Sequence, residues 1–234
     1  MIGCLVGSEM CIRDSCIIGY GKMGKMVEKI AISKGHSINQ IIDSPNDEVD
    51  GNADVAIIFS TPESAVLNIM KCFEKKLPVI CGTTGWLNDI EKIKKYCETN
   101  NSTFLFSPNF SLGVNLFFKI NNSVSKIMRN SDEFDLRISE VHHTSKIDSP
   151  SGTALKIKKD IDSILNKDAQ IESKRIGSNN GTHEVIYESY SDLIKISHTA
   201  KNRDSFALGS IVCAQWIISQ NGFFEMDDFL NDFL

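Results

Sequence analysis

Three shortages narrow this sequence before any motif is read. Basic residues are in deficit: 25 Lys and Arg stand against 30 Asp and Glu, a formal net charge of −5. A general polyanion binder carries the opposite balance, so nucleic acid is not an expected partner, although a small basic pocket for an acidic metabolite would still fit. Long apolar runs are missing, and no membrane span is expected. The opening stretch MIGCLVGSEMCIRDS has no basic region, and its short apolar run is broken by glycine, so it does not read as a secretory signal. Paired cysteines are missing too. Cys4, Cys11, Cys16, Cys72, Cys81, Cys97 and Cys213 form no CxxC pair and no Cys/His zinc spacing, and their number is odd. Free thiols in a reducing cytoplasm fit better than a disulfide framework. What remains is an ordinary globular composition, 41% hydrophobic and 24% charged over 234 residues. That is enough apolar mass for a core and enough length for one large or two modest domains.

The first half alternates strand-like and helical patterns. Cys16–Ile18, His36–Asp43, Asp54–Ser60, Pro78–Cys81 and Thr103–Ser107 read as strands, and Asp54–Ser60 (DVAIIFS) is a continuous apolar run of the kind buried on both faces. Between them, Met23–Lys34, Glu63–Lys76 and Asn88–Asn100 have helical spacing. Such alternation implies a parallel sheet with right-handed crossovers. The second half is different. Ser111–Arg129, Gly152–Leu165 and Ser205–Ser219 read as helices; Phe134–His142, Thr182–Tyr190 and Leu193–Thr199 read as sheet strands. The expected class is α/β: an N-terminal Rossmann-type parallel sheet, residues 1–108, followed by an α+β domain, residues 109–215. A C-terminal stretch, 216–234, could return to the first domain.

Gly19-Tyr20-Gly21-Lys22-Met23-Gly24 matches G-x-G-x-x-G between a strand and a helix. Glycines allow a sharp turn and close approach to a pyrophosphate, whose charge the helix N-terminal amides then hold. The pattern alone also fits a plain strand-to-helix turn. Asp43 lies at the end of the second strand, where a carboxylate would accept hydrogen bonds from the adenosine ribose hydroxyls; the alternative is a turn residue ahead of Ser44-Pro45. No arginine follows it to meet a 2′-phosphate, which favours NADH over NADPH. Two further loops follow strands, Gly82-Thr83-Thr84-Gly85 and Ser107-Pro108-Asn109-Phe110. In a doubly wound sheet such loops face the ligand, here the nicotinamide half of the cofactor.

The most informative stretch is Glu140-Val141-His142-His143-Thr144-Ser145-Lys146-Ile147-Asp148-Ser149-Pro150-Ser151-Gly152-Thr153-Ala154. Three potentially cationic groups precede a helix start whose N-cap is Ser151 and whose first free amides are those of Gly152 and Thr153. A helix N-terminus with His and Lys beside it suits a carboxylate, and histidine and lysine can exchange protons. Adjacent histidines on a strand point to opposite faces, and no Cys or third His has suitable spacing, so no metal is expected. Farther on, Arg203 in HTAKNRDSFALG could position a carboxylate or make a surface salt bridge.

Taken in order, GYGKMG, DVAIIFSTPES, PVICGTTGW, SPNFSLGVN, EVHHTSKIDSPSGTAL and HTAKNRDSFALGSI resemble the 4-hydroxy-tetrahydrodipicolinate reductase family over residues 16–220. The resemblance implies reduction of a cyclic dicarboxylate with NADH or NADPH in lysine and diaminopimelate biosynthesis, by a cytoplasmic homotetramer assembled through its second domain. By position it implies His142 as catalytic proton donor and acceptor, Lys146 as catalytic proton donor, and His143, Gly152 and Thr153 as substrate carboxylate ligands. Gly19 to Gly24, Asp43, Gly82, Thr83, Thr84 and Ser107 to Phe110 would hold the cofactor. Two departures stand out. The chain between Asp43 and Asp54 is short, so a helix of longer members should be missing. Residues 1–15 do not resemble the family's first strand and are expected to be a non-native replacement of part of it, a genuine extension being the alternative. A non-catalytic NAD(H) sensor or another Rossmann dehydrogenase of an amino-acid-like acid would explain the glycine loop but not the His-His-Lys segment.

Overall fold

The computed structural model describes residues 14–44 and 46–234. The chain forms two compact units. One runs through Phe110 and resumes from Phe206 to the C-terminus; the other is Ser111–Ser205. The first boundary, expected near Pro108, thus falls after Phe110, and the chain rejoins the first unit at Phe206 rather than at 216.

The first unit contains β1 (Asp14–Ile18), α1 (Lys22–Ser33), β2 (Ser37–Ile42), β3 (Val55–Ile58), α2 (Pro62–Glu74), β4 (Val79–Cys81), α3 (Ile90–Asn100) and β5 (Thr103–Phe106). Its sheet has the order β10-β5-β4-β3-β1-β2, where β10 is Gly222–Glu225 near the C-terminus, and every pairing is parallel. The C-terminal stretch therefore does return to this unit, as an edge strand. Crossovers hide both faces of the sheet, which is why its strands are apolar without alternation: Ile17, Ile57, Ile80 and Leu105 are at most 1% exposed. Burying one such side chain contributes roughly 1.5–3 kcal/mol. The first strand starts earlier than Cys16, since Asp14 pairs with Ser37 and the buried Ser15 with Val55. Asp14 and Ser15 thus belong to the sheet; the rest of the expectation for residues 1–15, like Cys4 and Cys11, lies outside the described residues. No helix joins β2 to β3 among the described residues. The remaining cysteines are unpaired and buried, and burial pushes the Cys16 and Cys81 thiols up to about 12.

The second unit contains α4 (Leu112–Met128), β6 (Asp135–His142), α5 (Gly152–Leu165), β7 (Gln170–Arg175), β8 (Thr182–Glu188) and β9 (Leu193–Thr199). The sheet order is β7-β6-β8-β9, with β6 parallel to β7 and the other pairs antiparallel. Ile138, Val185 and Tyr187 on one sheet face pack with Val114, Phe117 and Phe118 of α4 and with Ile157 and Ile161 of α5. Both helices are started by serine: Ser111 Oγ accepts from Val114 N–H and Ser151 Oγ from Ala154 N–H. After α6 (Asp204–Ile217) and β10, the chain ends in α7 (Met226–Phe233). Among the described residues no helix is long and apolar enough to cross a membrane.

Candidate active site

In the first unit, strand register places the expected cofactor residues on one edge of the sheet. Ile18 pairs with Ile42 and Ile58, Ile58 with Cys81, and Cys81 with Phe106. The residues that follow these partners, namely Gly19, Asp43, Gly82 and Ser107, therefore leave the sheet side by side at its carboxyl end. The strand order also reverses at β1, where β2 lies on one side and β3 on the other. Open parallel sheets bind their ligands at such a point.

Local contacts explain the residue types. Gly19 has φ +93, and a Cβ there would lie 2.3 Å from the Phe59 carbonyl oxygen. A Cβ on Gly24 would lie 2.1 Å from the Gly19 carbonyl oxygen, so this glycine seats α1 against the loop. Around Gly21, by contrast, a Cβ would meet nothing within 4 Å, and Gly21 caps α1 without any side-chain bond to the first amides. A dinucleotide needs this arrangement: a loop pinned from beneath, open above, with free amides at the helix start. Tyr20 N–H donates to Asp43 Oδ1 at 2.7 Å, fixing the carboxylate beside the loop. Lys22 is exposed and Met23 half-buried.

The two later loops are built differently from one another. Thr83 Oγ1 accepts from Ser60 N–H at 2.9 Å and is buried, so it ties the ends of β3 and β4; Gly82 leaves space for the Phe59 ring. Thr84 and Gly85 are exposed. Ser107 Oγ donates to the Asn109 carbonyl at 2.8 Å, and the buried Phe110 ring meets Phe59 edge-on at 6.0 Å. Pro108 is exposed and Asn109 half-buried.

In the second unit the polar cluster is larger than the sequence suggests. Glu140 and His142 alternate on β6 and share its buried face; they are 0% and 7% exposed. Register brings Ser173 and His183 beside Glu140, and Arg175 beside His142. Glu140 Oε1 accepts from Ser151 N–H and from Arg175 Nη2, both at 3.1 Å. Glu140 Oε2 faces His142 Nδ1 at 3.3 Å and His183 Nε2 at 3.6 Å. His183 Nε2 also lies 3.2 Å from Ser151 Oγ, and the two imidazole rings meet edge to face at 5.0 Å. Lys146 Nζ pairs with Asp148 Oδ1 at 2.7 Å, and His143 Nδ1 with Ser145 Oγ at 2.8 Å. Gly152 is exposed and Thr153 half-buried; both stand in the first turn of α5, which holds no acidic side chain.

The electrostatics follow from burial and these neighbours. Burial lowers the pKa of His142, and Lys146 and Arg175 lower it further, against an upward pull from Glu140 and Asp148. Burial and the adjacent His142 take His183 down to about 4. Burial alone would raise the Glu140 carboxyl, but hydrogen bonds from Ser151 and Arg175 outweigh it and hold the carboxyl below its usual value. At neutral pH the cluster is thus a buried carboxylate beside two neutral imidazoles, a set suited to proton exchange.

His142, Lys146 and the α5 start stand together in sequence, and Glu140 heads the same stretch, but the sequence assigns Glu140 no role and gives no sign of His183 and Arg175 beside it. Alternation along β6 would have placed Glu140 on the His142 face; His183 and Arg175 come from other strands. One ligand atom each from Glu140, His142 and His183 lie within 4.8 Å of one another, so the lack of a suitably spaced third ligand, used above against a metal, does not hold in space. Arg175 on the same carboxylate is the stronger argument against a divalent cation there. Arg203 is exposed.

Comparisons with known proteins identify the family. The family described as dihydrodipicolinate reductase, N-terminus, matches residues 15–110, and its C-terminus counterpart matches residues 113–230. A 4-hydroxy-tetrahydrodipicolinate reductase of Christiangramia forsetii is 40% identical over 231 residues, covering 92% of this chain and 97% of that protein. One from Archaeoglobus fulgidus is 33% identical, covering 90% and 96%. The fold matches a dipicolinate-bound dihydrodipicolinate reductase from Paenisporosarcina sp. TG-14 with a TM-score of 0.80 at 19% identity, covering 93% of this chain and 99% of that one. With both halves matched and relatives aligned almost end to end, the chain belongs to the 4-hydroxy-tetrahydrodipicolinate reductase family.

Proposed function

We propose that this chain reduces 4-hydroxy-tetrahydrodipicolinate to tetrahydrodipicolinate with a reduced pyridine nucleotide, as part of lysine and diaminopimelate biosynthesis. The observation that carries the proposal is the cluster at the end of β6 and the start of α5. A proton-exchanging imidazole, a lysine and free helix amides stand there within one segment, in a chain whose other unit presents a dinucleotide cradle.

Loss of the ring hydroxyl as water, together with a proton from the neighbouring ring carbon, leaves a ring carbon conjugated with the substrate imine, and the reduced nicotinamide, when bound, would supply a hydride to that carbon. The neighbouring carbon then takes a proton, so overall one proton is consumed per hydride transferred. The residues of this chain handle charge and protons. Gly152 and Thr153 amides and His143 hold a substrate carboxylate. The Lys146 ammonium, oriented by Asp148, offsets negative charge that develops on the ring and donates the proton that leaves with the hydroxyl as water, while His142 takes the ring proton lost in that elimination and returns it to the ring after hydride transfer. In the first unit the amides of Gly19 to Gly24 hold the pyrophosphate. Asp43, with Oδ1 tied to Tyr20, offers Oδ2 to the ribose. Thr83 contributes through its backbone, because its side chain is committed to Ser60. Gly82, Thr84 and the Ser107–Phe110 turn flank the nicotinamide half. The Asp43 carboxylate would repel a 2′-phosphate, so NADH is the preferred donor, with NADPH slower. Cytoplasmic location and a homotetramer complete the proposal; both rest on the family resemblance.

The test is kinetic. With substrate made by condensing pyruvate and aspartate semialdehyde, His142→Gln and Lys146→Ala should lose roughly 100-fold or more in kcat while still binding NADH. Near-normal turnover in either variant removes that residue's role.

A further inference from the structure

We propose that Glu140 is a positioning residue for His142: its buried carboxylate holds the imidazole proton on Nδ1, which leaves Nε2 as the atom that exchanges protons. This rests on the assignment of proton exchange to His142 given above.

Four observations carry it. Glu140 is wholly buried, yet it does not act only as a counter-ion to Arg175, because each carboxylate oxygen has its own set of partners. Oε1 takes the Ser151 N–H and the Arg175 guanidinium; Oε2 is turned to both imidazoles. Oε2 and His142 Nδ1 are both buried, have no other hydrogen-bond partner among the described residues and lie 3.3 Å apart, whereas His183 Nε2, 3.6 Å from Oε2, pairs with Ser151 Oγ instead. An ionised carboxylate only accepts, so a neutral ring facing it must present its N–H. That fixes the His142 proton on Nδ1.

The opposite ring nitrogen is kept clear. Gly181 lies across from His142 on β8's approach, with φ +133, and a Cβ there would come within 3.0 Å of His142 Nε2. A residue with only hydrogen at that position leaves Nε2 room for a reactant. The Glu140 contact itself is long, 3.3 Å for Nδ1, and catalytic contacts that are long in a free enzyme tighten into hydrogen bonds in the substrate complex. Glu140 Oε1 is held at the start of α5 by the Ser151 N–H, and His183 Nε2 pairs with Ser151 Oγ beside it, so Oε2 stays turned towards His142.

The same three side chains could instead chelate a metal ion. The two readings differ in what each ring nitrogen carries: a metal would take the Nδ1 lone pair of His142, whereas positioning puts a proton there.

The experiment is the Glu140→Gln variant. Glutamine can keep both bonds to Oε1, so the fold partner role is preserved, but it turns an NH2 donor towards His142 Nδ1. The ring should then move its proton to Nε2. Nitrogen NMR of ring-labelled enzyme, with His142 assigned by its absence in His142→Gln, should show the Nδ1–H form in the native chain and the Nε2–H form in Glu140→Gln. kcat should fall roughly 10- to 100-fold, a part of what general acid–base catalysis supplies, with KM within about threefold. An unchanged tautomer, or a changed tautomer with unchanged kcat, overturns the proposal. If Glu140→Gln does not fold, the native spectrum decides alone: an Nε2–H form, or activity lost on chelation and restored by zinc, overturns it. Full turnover in His142→Gln would instead show that the assignment beneath it is wrong.

Discussion

Gly24→Ala is the sharpest single perturbation of the dinucleotide cradle, because its cost can be worked from the contact it creates. The new methyl would sit 2.1 Å from the Gly19 carbonyl oxygen and 3.4 Å from Ile17 Cγ2. Ordinary carbon–oxygen contact needs roughly 1 Å more, and neither neighbour is the free end of a flexible side chain. Either α1 lifts or the loop residue Gly19 shifts, and Gly19 is itself pinned beneath by Phe59 and by its N–H bond to Ile42 O at 2.8 Å. Overpacking of this kind costs about 1–3 kcal/mol, equivalent to about 2–12 °C in Tm for a chain of this size. The amides that hold pyrophosphate move with the loop, so the Kd for NADH, read by fluorescence titration, should rise at least about tenfold, or roughly 1.4 kcal/mol. Gly21→Ala is the control: the methyl meets nothing, φ is −75, and only the helix-capping preference is lost, below about 1 kcal/mol. Its Tm should stay close to native while NADH binding weakens, since the methyl points into space the ligand needs. If Gly24→Ala binds NADH within twofold of native and melts at the native temperature, the close seating of α1 on the loop is not what the glycine provides.

Two further expectations concern the second unit. His183 carries a pKa moved from its ordinary 6.5 to about 4, so the unfolded chain binds the extra proton first on acidification. Stability is then fully present above about pH 6.5 and is lost as pH falls towards 4; the depressed Glu140 and His142 act in the same direction. From pH 7 to pH 5 the loss from His183 is on the order of 2 kcal/mol. Tm should fall over that interval in the native chain and fall less in His183→Gln; equal slopes would contradict the shift. The buried Tyr187 hydroxyl lies 3.0 Å from Ser125 Oγ and links β8 to α4. Tyr187→Phe strands the serine and should cost about 1–3 kcal/mol by urea unfolding, whereas Tyr187→Phe with Ser125→Ala should cost less than the sum. Strict additivity would show that the two hydroxyls do not interact.

Much of the fold was legible because burial on both faces leaves a simple mark. DVAIIFS and TFLF read as central strands without any partner being known, and the serines at 111 and 151 mark helix starts by their side-chain chemistry. QIESKR, which forms β7, alternates charge with only one strongly apolar residue and sits at a sheet edge, so it carries no strand signal of its own. GFFE became β10 only because β5 offers it an edge. The same division applies to the site. His142, Lys146 and the α5 amides come from one continuous segment and could be read together. Glu140 was visible but its partners were not: His183 and Arg175 reach it through strand register, which one chain's spacing does not encode. Asp43 was legible as an acid at a strand end, while its tie to Tyr20 N–H required the loop's shape.

The most direct test of the account is the stoichiometry of NADH oxidation by the native protein when the condensation product of pyruvate and aspartate semialdehyde is added. One NADH should be consumed per ring reduced, with no consumption on pyruvate or aspartate semialdehyde alone and a higher kcat/KM for NADH than for NADPH. NADH that binds but is never oxidised in the presence of that product would contradict it.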